Sequence, residues 1–316
     1  AFPDANTDAD ESVDTIYFGG GTPSFVNSKY ICQTLEQIKT AFSISTAEVT
    51  IEVNPISVDM DKLLMYRQAG FNRISIGVQS LHDDCLLLLG RLHNSKQALE
   101  AIANARKAGF ENISSDLITG VPSQSVASLI EDADELILAG AKHISMYSLS
   151  IEEGTEFFAK YNDKLEDYVS PELEREMYHS LRYHLASKGL LPYEISNSGI
   201  EGYESRHNTS YWKGDEYYAF GPGSCGYLKG VRFGHCEGVD SYIASASSIT
   251  ISEIKSFFSS IAESNSLLVE EERMSNEAKL KEYAMLSLRM SKGINVERIN
   301  SKYNIDFESL YKDALK

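Results

Sequence analysis

A phrase that returns along the first half of the chain constrains the fold more than any other feature. Ala69-Gly70-Phe71-Asn72-Arg73-Ile74-Ser75 recurs as Ala108-Gly109-Phe110-Glu111-Asn112-Ile113-Ser114 and again as Ala139-Gly140-Ala141-Lys142-His143-Ile144-Ser145, with a looser copy at Lys188-Gly189-Leu190-Leu191-Pro192-Tyr193-Glu194-Ile195-Ser196. Each copy follows a segment with apolar residues at helical spacing, such as Ala98, Leu99, Ile102 and Ala105, or Leu129, Ile130, Ala133, Leu136 and Ile137. The glycine suits the position just past a helix, where φ is usually positive. A β-rich run comes next. The repeat is therefore a helix, a short loop and a strand, used several times.

This reading predicts strands near 15–20, 48–54, 73–80, 112–119 and 143–150, with helices near 29–42, 59–69, 94–108 and 126–139. Strands alternating with helices imply parallel pairing through right-handed crossovers. The choice lies between a closed or partial β/α barrel and an open doubly wound sheet. Parallel strands buried on both faces should be continuously apolar, yet Glu52, Gln79 and Asp116 interrupt them. A buried polar group without a partner costs roughly 1–3 kcal/mol. Several strands each carrying one point to a shared polar ligand at the C-terminal face of a barrel. A hydrated lumen with structural hydrogen bonds accounts for the same residues equally well.

Farther along, a long helix is expected at about 171–188 and a strand at 191–196. Residues 201–250, rich in glycine and aromatics, read as a connecting segment of loops over a site. From 251 to 316 the chain reads as a mainly helical domain whose last three short segments have helix-turn-helix proportions. The division expected is thus 1–200 for the β/α part, 201–250 for the connection and 251–316 for the helical part.

The chain's 316 residues are 42% hydrophobic, enough for one large core and an appended smaller domain. A formal net charge of −17 repels a nucleic-acid backbone. No run approaches the roughly 20 apolar residues needed to cross a bilayer, and no signal peptide is recognisable. Cys32, Cys85, Cys225 and Cys236 include no CxxC pair, which fits reduced thiols in a cytoplasmic protein.

The glycine turn Gly19-Gly20-Gly21-Thr22-Pro23 follows the first strand and lets backbone approach a ligand closely. It lacks the GxGxxG spacing and the lysine of phosphate loops, which argues against a nucleotide-phosphate site. In order, the phrases are more specific. Ile16-Tyr17-Phe18-Gly19-Gly20-Gly21-Thr22-Pro23-Ser24 is followed by Glu52-Val53-Asn54-Pro55, by Arg73-Ile74-Ser75-Ile76-Gly77-Val78-Gln79-Ser80, by Leu89-Gly90-Arg91-Leu92-His93, by Asp116-Leu117-Ile118-Thr119-Gly120-Val121-Pro122 and by Tyr147-Ser148-Leu149-Ser150-Ile151-Glu152. This series resembles the branch of the radical S-adenosylmethionine (SAM) family that contains oxygen-independent coproporphyrinogen III dehydrogenase and a paralogous heme chaperone. The resemblance is strong over about 14–235 and looser beyond.

The resemblance implies an α/β fold, a partial (β/α)6 radical SAM barrel that lacks its first strand in this chain, with the helical domain after it. It implies that Gly20, Gly21 and Thr22 meet the methionine moiety of SAM, and that Glu52, Gln79, Arg91 and Asp116 complete the SAM site. A guanidinium suits a carboxylate, while acid and amide groups suit ribose hydroxyls or an amino group. His207-Asn208-Thr209-Ser210-Tyr211-Trp212 matches the heme-chaperone branch. Heme is then the cargo and a heme-acceptor protein the partner, with His207 a candidate axial ligand and Tyr211 and Trp212 offering flat surface. The alternative is that His207 and Asn208 pin a loop and Trp212 fills a core.

The family's Cys-x3-Cys-x2-Cys, which holds a [4Fe–4S] cluster after the first strand, is not in the sequence. Cys32 falls on an expected helix and does not replace it. The resemblance implies a [4Fe–4S] cluster in the full-length protein, while the chain as given is expected not to hold it; the family usually continues past Lys316. Two rivals to the chaperone remain. One is the dehydrogenase, which removes propionate carboxyls by hydrogen abstraction and is disfavoured by the phrase at 207–212. The other is a cluster-free β/α-barrel enzyme such as an aldolase, for which no strand end supplies a lysine.

Overall fold

The computed structural model describes residues 12–44, 47–161, 169–247 and 268–315. The chain divides into two compact units, one of 1–36 with 44–205 and the other of 37–43 with 206–316.

In the first unit the repeated phrase folds as its glycines require. Helix α1 (Ser28–Ala41) follows strand β1 (Thr15–Phe18), and α2 (Met60–Ala69) follows β2 (Glu48–Val53). Strand β3 (Arg73–Gln79) leads through the short α3 (Asp83–Leu88) to α4 (Ser95–Lys107). Then come β4 (Asn112–Thr119), α5 (Val126–Ala139), β5 (His143–Ser148), the short α6 (Glu156–Tyr161) and the long α7 (Pro171–Ser187). Asn94 and Gln97 form a reciprocal cap at the start of α4, and Ser125 and Ser128 do so for α5. Gly70, Gly109, Gly140 and Gly189 all adopt positive φ, at 107°, 93°, 114° and 86°. Each ends a helix and turns the chain into the next strand.

Strands β1 to β5 pair in parallel in chain order. Two short strands then fold back antiparallel: β7 (Asn197–Gly199) on β5, and β6 (Leu191–Pro192) on β7. The expected strand at 191–196 is thus a tight pair that closes the sheet with reversed direction. The outer sheet face is apolar: Ile51, Ile74, Ile76, Val78, Ile113, Leu117 and Ile144 are fully buried. So are Leu63 and Tyr66 of α2, Ile102 of α4, and Leu129 and Leu136 of α5. Phe71, just past α2, meets Phe18 and Tyr66 edge-on at centroid distances of 5.1 and 5.5 Å.

The second unit departs from the reading as loops. Residues 201–247 form helix α8 (Arg206–Trp212), a hairpin of β8 (Cys225–Leu228) and β9 (Val231–His235), and helix α9 (Val239–Ala246). Leu228 pairs with Val231 across Lys229 and Gly230, whose φ values of 50° and 76° make the two-residue turn that suits a twisted hairpin. Strand β10 (Leu268–Arg273) joins β9 antiparallel, so the C-terminal part is not helical throughout. The helical start expected near 250 lies outside the described residues. Helices α10 (Asn276–Leu288), α11 (Val296–Tyr303) and α12 (Phe307–Leu310) enclose a small core of Leu280, Tyr283, Ile299 and Phe307. Among the described residues no helix is long and apolar enough to cross a membrane.

Candidate functional site

The inner face of the first unit's sheet is polar, row by row. Tyr17, Thr50, Arg73 and Asn112 are cross-strand neighbours; one step toward the strand ends stand Glu52, Ser75, Ser114 and His143. Asp116 lies beside Ser145, which in turn faces Asn197. Strand residues two apart share a face, so the polar positions come from alternation within otherwise apolar strands.

At the mouth of this face the glycine turn is fastened to β2. Tyr17 donates its hydroxyl to Glu52 Oε1 at 2.6 Å, and the Gly20 amide donates to Oε2 at 3.3 Å. A Cβ on Gly19 would lie 2.5 Å from the Tyr17 ring and 3.0 Å from the Glu52 carboxyl, so only glycine permits this approach. Gly20 and Gly21 hold φ of 75° and 71°, with open space where a side chain would stand. Their backbone is left bare toward the mouth. Burial and then the Glu52 carboxyl push the Tyr17 phenol well above its usual range.

Asp116 accepts from the Ser75 hydroxyl at 3.2 Å. Burial lifts its carboxyl to about 6, with Glu52 pushing the same way and the Ser145 hydroxyl, Arg73 and Ser75 opposing. Tyr147, at the end of β5, is pushed up to about 12 by burial and by Asp116.

Below, His143 is fully buried between Ser114 (Nδ1···Oγ 2.7 Å) and Tyr193 (Nε2···Oη 2.9 Å). Burial and then the Arg73 cation hold its pKa well below the ordinary value, so the ring is neutral. Tyr193 also accepts from the Ser205 amide at 3.1 Å. Asn197 donates to Glu194. Arg73 is only 2% exposed. Its Nε, with Thr50 Oγ1 and Asn112 Oδ1 in the same row, has no hydrogen-bond partner among the described residues.

The structure therefore places Gly20 and Gly21 just past β1, Glu52 in β2 and Asp116 in β4 on the same polar face, with Ser75 of β3 between the two acids. Thr22 follows at the start of a single helical turn, Pro23–Phe25, its carbonyl accepting from the Phe25 amide at 3.1 Å. Gln79 stands at the end of β3, where its amide nitrogen would lie 2.9 Å from a Cβ on Gly77. Arg91 sits in the turn after α3, half-buried, with its amide donating to the Leu86 carbonyl at 2.9 Å. No described hydrogen bond links it to the other candidates. Arg73, Ser114 and His143 join these candidates on the polar face without being among the expected site residues, although Arg-x-Ser, Asn-x-Ser-x-Asp and His-x-Ser-x-Tyr are legible alternations.

In the second unit, His207 and Tyr211 lie one turn apart on α8, with Nε2···Oη at 2.8 Å. Tyr211 meets Tyr217 edge-on at 4.7 Å. The Arg289 guanidinium covers the Trp212 ring at 4.3 Å, so one face of that indole is occupied.

The description "Radical SAM superfamily" matches residues 5–136. The heme chaperone HemW of Lactococcus lactis is 31% identical over 306 residues, which is 96% of this chain and 76% of that protein. The chain belongs to the HemW-like branch of the radical SAM family. Radical S-adenosyl methionine domain-containing protein 1 of Bos taurus, a mitochondrial protein, is 38% identical over 215 residues, 68% of this chain and 49% of its own length. Among solved structures, coproporphyrinogen III oxidase HemN of Escherichia coli superposes with a TM-score of 0.77 at 18% identity, over 96% of this chain and 69% of that one. The likeness shows a shared radical SAM fold, which is the α/β partial barrel expected from the sequence. In this HemW-like chain the four cysteines are dispersed: Cys32 on α1, Cys85 buried on α3, Cys225 on β8 and Cys236 just past β9. Among the described residues no group of three or more His, Cys, Asp or Glu is placed to hold a metal ion.

Proposed function

We propose that this protein is a heme chaperone built on a radical SAM fold: it binds SAM at the mouth of the first unit's sheet, binds heme, and passes the heme to an acceptor protein. The observation that carries this reading is similarity to HemW relatives along nearly the whole chain, the phrase at 207–212 included.

The site residues fit SAM on chemical grounds. The bare backbone at Gly20 and Gly21 admits the methionine moiety closely. Glu52 and Asp116 offer acceptors to an amino group and ribose hydroxyls. The Gln79 amide adds a donor and an acceptor, and Arg91 is a partner for the carboxylate. The described cysteines are too dispersed to fit a [4Fe–4S] cluster. For heme, Trp212 and Tyr211 supply aromatic surface and His207 an imidazole. Ligation through Nε2 requires release of the Tyr211 hydroxyl.

The test is spectroscopic. Hemin added to the full-length protein is expected to give a shifted Soret band, and the loaded protein to transfer heme to an apo-acceptor. His207→Ala is expected to weaken the shift, whereas Tyr211→Phe, which frees Nε2, keeps it. An unchanged hemin spectrum removes the chaperone reading. Turnover of coproporphyrinogen III above background replaces it with the dehydrogenase.

A further inference from the structure

The end of β3 is strained in a way the ladder does not require. Gln79 has φ of 70°, in the left-handed region that non-glycine residues enter rarely. The Ser80 amide donates to the Val78 carbonyl at 2.9 Å, so Val78, Gln79 and Ser80 form a γ-turn with positive φ at its centre, an uncommon and strained turn. The register between β3 and β4 shifts in the same place, between Ile76 and Gln79. Through this turn Gln79 folds back toward Gly77, where any Cβ would meet its amide nitrogen at 2.9 Å.

Strained turns persist where their surroundings over-determine them, and two buried groups outside the site do so here. Asp132 on α5 is 1% exposed and accepts the Ser80 hydroxyl at 2.9 Å. Its other oxygen faces His82 Nε2 at 3.4 Å, and the His82 amide donates to Ser80 Oγ at 3.1 Å. From the opposite side His93, buried, donates Nε2–H to the Val78 carbonyl at 2.9 Å. That one carbonyl therefore carries both the γ-turn and the loop bearing Arg91.

We infer that Asp132 and His93 are positioning residues that clamp the γ-turn and thereby hold the Gln79 amide over Gly77 at the mouth of the site. Asp132, a buried acid on α5, grips Ser80, itself fully buried, and faces His82 beside it. The link from this clamp to ligand affinity rests on the SAM-binding reading above.

The experiment is a double-mutant cycle on the full chain, with S-adenosylhomocysteine as the calorimetric probe. Asp132→Ala and Gln79→Ala are each expected to lower affinity about tenfold, near the worth of one well-made hydrogen bond. The double variant is expected to be no weaker than Gln79→Ala alone, because Asp132 acts through Gln79. Fully additive losses overturn the inference, since general loosening of the fold would add. Asp132→Asn, which keeps a hydrogen-bonding group against Ser80, is expected to recover most of the affinity, and serves if the alanine variant fails to fold. If the unaltered protein does not bind the probe, the SAM reading fails, and a crystal structure of Asp132→Asn or Asp132→Ala decides the clamp separately. Relaxation of Gln79 to negative φ in the alanine variant upholds it; unchanged φ and an unchanged amide position overturn it.

Discussion

Asp116→Ala is expected to weaken S-adenosylhomocysteine binding by about 30- to 150-fold near neutral pH, the worth of roughly 2–3 kcal/mol for hydrogen bonds to a charged acceptor. Asp116 stands within β4, hydrogen-bonded to Ser75 and beside Ser145, with Glu52, Arg73, Tyr17 and Tyr147 as the charged and titratable groups around it. Because burial lifts its carboxyl to about 6, the ionised form is lost within a mild pH range. Protonation turns an acceptor into a donor and removes a negative charge from a site meant for an ammonium group and hydroxyls. Affinity in the unaltered protein is therefore expected to fall as pH drops through about 6 and to level off above it. Asp116→Asn keeps the shape without the titration, so its affinity is expected to be lower and flat across the same range. Calorimetric titrations at a series of pH values check both. An alanine variant that binds as well as the original protein rules Asp116 out of the site.

Much of the fold was legible because its signals are local. Glycines such as Gly70 and Gly140 set helix ends within a few residues, whatever the tertiary context. The polar strand positions Glu52, Gln79 and Asp116 were legible as oddities in buried strands. Their companions were harder to see. Alternation assigns Arg73, Ser114 and His143 to a face, but the partner of His143 comes from Tyr193, fifty residues on, through antiparallel strands that the repeat does not announce. The second unit hides its strands for a different reason. Glycine and aromatics suggest loops, yet Tyr227 and Phe233 have strong β-propensity, and Lys229-Gly230 is the hairpin turn between their strands. His207, Tyr211 and Trp212 fell on one short helix, whose Trp212 is covered by Arg289 from seventy-seven residues away, a pairing no spacing reveals.

Arg73→Met is expected to cost more stability at alkaline than at acid pH, whereas a simple loss of packing would cost the same at both. Arg73 is a permanent cation, 2% exposed, and its field reaches Tyr17, Asp116, His143 and Tyr193. The Asp116 carboxyl titrates higher in the folded protein than in the unfolded chain, so the folded state holds more protons between those values. Stability therefore falls as pH rises through that window and levels off above about 6. Without the cation the carboxyl rises further, and the falling window extends toward neutrality. His143 works in the same direction. Its folded pKa lies below the unfolded one, which costs stability at acid pH; removing Arg73 takes away one cause of that depression. The variant is thus expected to compare best with the original protein at about pH 5.5 and worst at about pH 8, with the gap widening by about 1.4 kcal/mol for each pKa unit the Asp116 carboxyl moves. Urea unfolding at the two pH values measures it. A gap of equal size at both would mean that Arg73 only fills space, and that the acidic mouth is held together without it.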